Sequence, residues 1–213
     1  MRHLSTASLQ TMLKLLAIAM VGKIIVAVVL SYRDYMPPNF DSSFLQGREY
    51  YFYRGYHWAF YVHITSGPLS LLLGMILVSD RFRRRFGHLH RVFGRIQVIC
   101  VLLLVAPSGL WMARHAESGV IAGTGFATLA VATGVFIALG WRAAVKRRFA
   151  EHRRWMWRCF LLLCSAVVLR IIGGTATVLG LESEWLYPIA AWMSWLLPLT
   201  TYDIGRRLNP SNV

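Results

Sequence analysis

The sequence is poor in charge, in acid and in cysteine. Charged residues fill 15% of its 213 positions, against about 25% in a soluble domain, and only 9 residues are Asp or Glu. A chain with so little polar surface cannot cover a globule of its size, which argues against a soluble enzyme and a disordered chain alike. Its three cysteines, Cys100, Cys159 and Cys164, stand inside apolar runs, and none sits in a C-x-x-C spacing. That argues against a disulfide scaffold and leaves them as small, polarizable helix residues. Motifs of soluble chemistry are missing too: there is no P-loop, no HExxH, no GxSxG and no metal-type Cys/His spacing. Internal repeats, low-complexity tracts and soluble linkers are equally absent.

What is present is apolar sequence. Hydrophobic residues make up 56% of the chain and the mean hydropathy is +0.50. A membrane helix needs about 20 mostly apolar residues. Six stretches reach or approach that: 15–31, 58–78, 96–113, 120–141, 159–178 and 186–202. The expected fold is therefore all-α, a polytopic membrane protein with six transmembrane helices, forming one transmembrane domain over 1–213. Lys23 interrupts the first stretch and no A-x-A site follows it, so it reads as an uncleaved span. Pro198 lies within the last, where a bundle tolerates a kink.

The net charge of +14 would suit a nucleic-acid binder, but the basic residues stand in short blocks between apolar runs. Taken loop by loop, seventeen Lys and Arg fall on one side and four (Arg33, Arg48, Arg54 and Arg114) on the other. That asymmetry predicts both termini in the cytoplasm and no nucleic-acid partner. Anionic lipid is the partner expected at the basic face.

The one long outer loop, 32–57, carries nine Tyr and Phe. That density suits a segment lying in the membrane interface, and the aromatics need no ligand to explain them; a lid over an outer site is the sharper alternative. Spans two to five, 58–178, form the expected four-helix functional core.

Ionisable residues in or beside membrane helices are functional candidates because they are costly to bury. His63, Gly67, Ser70 and Gly74 share one helical face. A glycine one turn from a histidine leaves room for a flat ring, although such a stripe also serves close helix packing. His90 and Gly94 repeat the spacing at the start of the third span, with Gln97 and Ser108 near the same face. His152 opens the fifth span, and Arg170 follows it by five turns on a continuous helix. By depth these form an outer cluster, His63 with Arg170, and an inner one, His90 with His152 amid arginines. Two histidines at matched depth on different helices can ligate a b-type haem axially, and arginines suit its propionates.

At HITSGPLSLLLG, GHLHRVFGRIQV and EHRRWMWRCFLLLCSAVVLR the chain resembles a bacterial membrane family, domain of unknown function 2306. The residues carrying the likeness are His63 and Gly67; His90, Arg91, Gly94 and Arg95; His152, Arg153, Arg154, Trp155 and Met156; and Leu169 with Arg170. After AWMSW the chain departs from the pattern, with Leu196, Leu197 and Pro198 where a polar residue is expected. The resemblance implies a multi-pass protein of the bacterial inner membrane and brings no activity with it. A weaker, architectural likeness is to cytochrome b-561 and ferric-reductase-like bundles, which hold haem on central helices. The functional expectation is haem- or quinone-linked electron transfer using His63, His90 and His152. Haem b is the expected cofactor, and those histidines are its iron ligands only if it is bound. Arg170, Gly67 and Gly94 line the site in this reading. The alternative is a non-enzymatic transporter or assembly factor with a polar cavity.

Overall fold

The computed structural model describes residues 6–42 and 44–208. The chain ends, with Arg2 and Asn209, lie outside those residues. Every regular element is helical, and among the described residues there is no strand, only an isolated bridge between Tyr35 and Pro38. The chain divides into two compact units, Met1–Tyr51 and Phe52–Val213.

The first unit holds α1, Thr6–Leu30, and a 3-10 turn, Ser31–Asp34. Its aromatic segment is organised around Arg48. The guanidinium donates from Nε to the Phe44 carbonyl (2.6 Å) and from Nη1 to the Tyr51 hydroxyl (2.9 Å), and lies 4.8 Å from the Phe44 ring centroid. Residues 32–57 are thus not one body. From Phe52 onward the aromatics belong to the second unit, where buried Phe52 and Tyr56 pack on Phe60 at 5.9 and 6.2 Å between centroids.

The second unit is a helical bundle. Its elements are α2 (His57–Leu77), the short α3 (Asp80–Arg85), α4 (Gly87–Ala113), α5 (Gly119–Val145), α6 (Phe149–Val178) and α7 (Leu186–Leu208). Four helical stretches are long and apolar enough to cross a membrane: Glu49–Leu77, Gly87–Ala113, Gly119–Val145 and Phe149–Val178. α1 and α7 are helices of 25 and 23 residues at the first and sixth expected spans.

Local sequence explains the boundaries. Ser79 caps α3 by accepting from the Phe82 N–H, Asp80 sits in its first turn and three arginines in its last, all complementing the helix dipole. α4 starts nine residues before its apolar run, so His90 is helical and not part of a loop. Pro107 has no N–H to close an ordinary turn, and α4 widens just before it, with Ala106 N–H reaching back to Val101 O. α6 tightens at Cys164, whose carbonyl accepts from both Val167 and Val168.

α2 packs on α4 and α6, α5 packs on the same two helices, and α7 lies on α5 and α6. In lipid, close packing replaces the hydrophobic effect as the force between helices, so small residues matter. α5 buries Ala122, Gly125, Ala130, Thr133, Gly140 and Ala143 along its length. Val101, Ile137 and Cys159 form the centre of the core, with Val98, Leu102, Phe136, Met156 and Leu163 around them. Leu103, Ile99 and Val131 point outward, as lipid-facing residues do.

Candidate functional site

At the arginine-rich end of the bundle, the ends of α2 to α6 enclose a cavity of about 570 Å³. That is within the range, roughly 300–1,000 Å³, of small-molecule sites. His90 from α4 and His152 from α6 both line it, so the expected inner pair does meet in one place. Gly94 lines it too, and nothing lies within 4 Å of where its Cβ would stand.

The walls are apolar and aromatic: Trp141, Met156, Trp157 and Phe160 among them. The mouth is cationic. Arg83, Arg91, Arg95 and Arg153 stand there against one acid, Asp80. Asp80 Oδ1 takes Arg83 at 3.0 Å and Arg153 at 3.6 Å, joining α3 to α6 across the mouth. The Arg83 hydrogen bond, helped by the charges of Arg153 and Arg84, outweighs slight desolvation and holds the Asp80 carboxyl below its ordinary range.

His152 is anchored from behind. Its Nδ1 lies 2.8 Å from the Gly140 carbonyl, which can only accept, so Nδ1 is the donor and Nε2 is the nitrogen left for any ligand. Gly140 also lets α6 pack close to α5 here, since a Cβ there would meet Met156 Sδ at 2.7 Å. Gly74 likewise clears Phe160, 3.0 Å from its virtual Cβ. Among the described residues, two residues of the lining each carry a buried atom with no hydrogen-bond partner, His90 Nδ1 and Gln97 Oε1, both turned away from the open space.

His63 sits elsewhere. It is 11 residues before Gly74 on α2, about 16 Å along the axis. Its Nδ1 is 3.1 Å from Ser108 Oγ. That hydroxyl donates to the Leu104 carbonyl, so the imidazole is the donor to it. Gly109 makes room for the ring, with a virtual Cβ 3.1 Å from His63 Cε1. Gly67, the expected source of clearance, has nothing within 4 Å of its virtual Cβ. Gln97 and Ser108 do share the face of α4 toward α2, as their spacing indicates, the first bonding Ser70 and the second His63.

Arg170 is exposed and donates to the Ala166 carbonyl on its own helix at 3.1 Å. The five-turn spacing from His152 assumes an unbroken α6; the tightened turn at Cys164 shifts the phase between them. The structure therefore brings His90 and His152 together and gives His63 and Arg170 different partners. Gln97, Gly74, Gly109 and Gly140 are the residues that sequence reasoning underweighted. Gly74 and Gln97 were legible as members of polar or small-residue faces; Gly109 and Gly140 carried no local signal.

Among the described residues no three His, Cys, Asp or Glu converge on a bare metal ion, and the three cysteines are free. A haem iron needs only two axial donors from the protein, because the porphyrin supplies the others. The imidazole pair, apolar walls and arginine mouth are compatible with that donor set.

A family profile described as "Predicted membrane protein (DUF2306)" matches residues 60–204, which takes in every helix of the cavity. No curated protein and no solved structure matches the chain.

Proposed function

The chain belongs to the DUF2306 family of predicted membrane proteins, and on that premise we propose that it carries out haem- or quinone-linked electron transfer with the His90–His152 cavity as its redox site. The observation that supports this reading is the meeting of two imidazoles from separate helices inside an aromatic cavity with a cationic mouth. A haem, when bound, supplies one-electron chemistry at iron. His152 would ligate through Nε2, with Gly140 fixing its tautomer and ring plane, as backbone carbonyls do for metal-bound histidines. His90 is the second donor. Arg91 and Arg95 would hold propionates, while Arg83 and Arg153 are already engaged by Asp80. Trp141, Trp157 and Phe160 would keep water from the ring.

Purified protein tests this directly. A Soret band that His152→Ala removes supports the haem form, and specific quinone or quinol affinity supports the quinone form. A colourless protein with neither affinity overturns the proposal and leaves a transporter or assembly factor.

The same reading places the chain in the bacterial inner membrane with six spans and both ends cytoplasmic, supported by the seventeen-to-four basic asymmetry. A reporter fused near Phe44 that signals from the cytoplasm would overturn that topology. The exposed arginines of α3 would then face anionic lipid headgroups, each contributing on the order of 1 kcal/mol.

A further inference from the structure

A second cleft, of about 430 Å³, opens between the first turns of α6 and the last turns of α7. Arg154 and Arg158 line it from α6, one helical turn apart on one face, and Arg206 and Arg207 line it from α7. Two acids, Glu151 and Asp203, share the lining, and both are already engaged. Arg158 holds Asp203 at 2.9 Å, and Arg148 holds Glu151 at 3.7 Å. Among the described residues no carboxylate pairs with Arg154, Arg206 or Arg207. Aromatic faces support two of the guanidiniums: Arg206 lies 5.8 Å from the Tyr202 ring centroid and Arg158 lies 5.0 Å from that of Trp155. Like charges gathered in one place repel, and this lining carries two positive charges in excess. An anion in the cleft relieves that repulsion, and the guanidinium fork matches the paired oxygens of a phosphate.

We propose that this cleft binds a phospholipid headgroup made of two linked phosphodiesters, that of a diphosphatidylglycerol, with one phosphate at Arg154 and the other at Arg206 and Arg207. The site is separate from the redox cavity and does not depend on it. Its position argues for a lipid. The apolar span of α6 begins at Phe149, and the turns that carry the arginines also expose Phe149, Ile204 and Leu208. An amphiphile meets guanidiniums and exposed apolar side chains together, whereas a soluble phosphate uses only the guanidiniums. Basic pockets between membrane helices suit such headgroups. Charge argues for two phosphates, since each diester carries one negative charge and the excess on the lining is two. The guanidiniums without an acid also stand on two helices, so a two-phosphate headgroup ties α7 to α6 alongside the Arg158–Asp203 pair.

The test uses the full chain in a neutral detergent at physiological salt. It is titrated with diphosphatidylglycerol and with phosphatidylglycerol of the same acyl chains, and the bound lipid is counted by native mass spectrometry. The expected result is that the two-phosphate lipid binds at least about tenfold tighter than the one-phosphate lipid, a difference of roughly 1.4 kcal/mol. Arg206→Gln with Arg207→Gln should bring the two lipids within about twofold of each other. The control removes the same charge elsewhere: Arg81→Gln with Arg85→Gln on α3, exposed residues that line neither cavity, should leave the preference intact. Equal affinity of the native chain for the two lipids overturns the proposal, and that measurement needs no variant to fold. A loss as large from the α3 pair as from the α7 pair also overturns it, because charge alone would then explain the binding. Glycerol phosphate that displaces the lipid at the lipid's own concentration assigns the cleft to a soluble phosphate and overturns the lipid. A chain that binds no haem or quinone but keeps the lipid preference leaves this site standing without the redox one.

Discussion

His63 and His152 look alike as chemistry and differ as sites. Each is an imidazole whose Nδ1 donates to an oxygen on a neighbouring helix, Ser108 Oγ for one and the Gly140 carbonyl for the other. Around His63 the neighbours close in, with Gly109 cut back to let the ring lie flat against α4. Around His152 they open into a cavity with a second histidine. A histidine in a membrane helix is thus a candidate site where open volume accompanies it, and a packing element where neighbours close on the ring.

The sharpest way to break this comparison is to remove each ring. His152→Ala should weaken haem binding by more than about a hundredfold, the scale of losing a ligand or its orienting shell. His63→Ala should change that affinity less than about threefold and cost about 2–3 kcal/mol of stability as a packing void. Ligand titration and thermal melting of both proteins separate the outcomes. A larger binding loss from His63→Ala would reverse the assignment.

Glycine substitutions contrast the two ends more gently. At the His63 end, a Cβ on Gly123 would stand 2.8 Å from the Ala113 backbone carbonyl, which cannot move aside. At the cavity end, a Cβ on Gly140 meets the flexible Met156 thioether. Gly123→Ala should therefore cost about 2–3 kcal/mol and Gly140→Ala about 1 kcal/mol. Gly67→Ala, facing open space, should be neutral or slightly stabilising by helix propensity. Melting temperatures in one detergent give the order, and a costly Gly67→Ala would show that the space beside it is used.

α7 is tied at both ends by different bonds. Near the first end Trp192 Nε1 donates to the Ile121 carbonyl at 3.0 Å. At the arginine-rich end Arg158 holds Asp203 through Nε at 3.1 and 3.3 Å and through the outer nitrogen at 2.9 Å. Solvent reaches both members of that pair, at 23% and 33% exposure, so screening reduces it. A double-mutant cycle on Arg158 and Asp203 should return about 0.5–1 kcal/mol. A value near zero would leave α7 held mainly by its apolar contacts.

The smallest effect expected is on pH dependence at the cavity mouth. Asp80 has its carboxyl held below the ordinary range, chiefly by Arg83. A group with a depressed folded pKa contributes stability above its unfolded value and loses it as pH falls through the folded one. Acidification below about pH 4, the ordinary Asp value, should thus loosen α3 from α6 slightly, and Asp80→Asn should remove that part of the pH response. Melting curves of the two proteins between neutral and acid pH would show it; identical slopes would count against the Asp80 bridge.

The sequence by itself determined that this is an all-helical chain made for lipid. Apolar run lengths and scarce charge dictate that, because a bilayer admits only helices or closed barrels across it. It also determined which histidines could share a depth, since rise per residue is constant along a helix. It could not determine which of them face open volume. That depends on contacts only the assembled bundle reveals: the widened turn before Pro107, the tightened one at Cys164, and the Gly140 carbonyl of α5 meeting His152. Each shifts a side chain by a fraction of a turn, invisible to a 3.6-residue period and decisive for contact. The tertiary structure alone therefore decided that His90, Gln97 and His152 share one cavity and that His63 and Arg170 have separate partners.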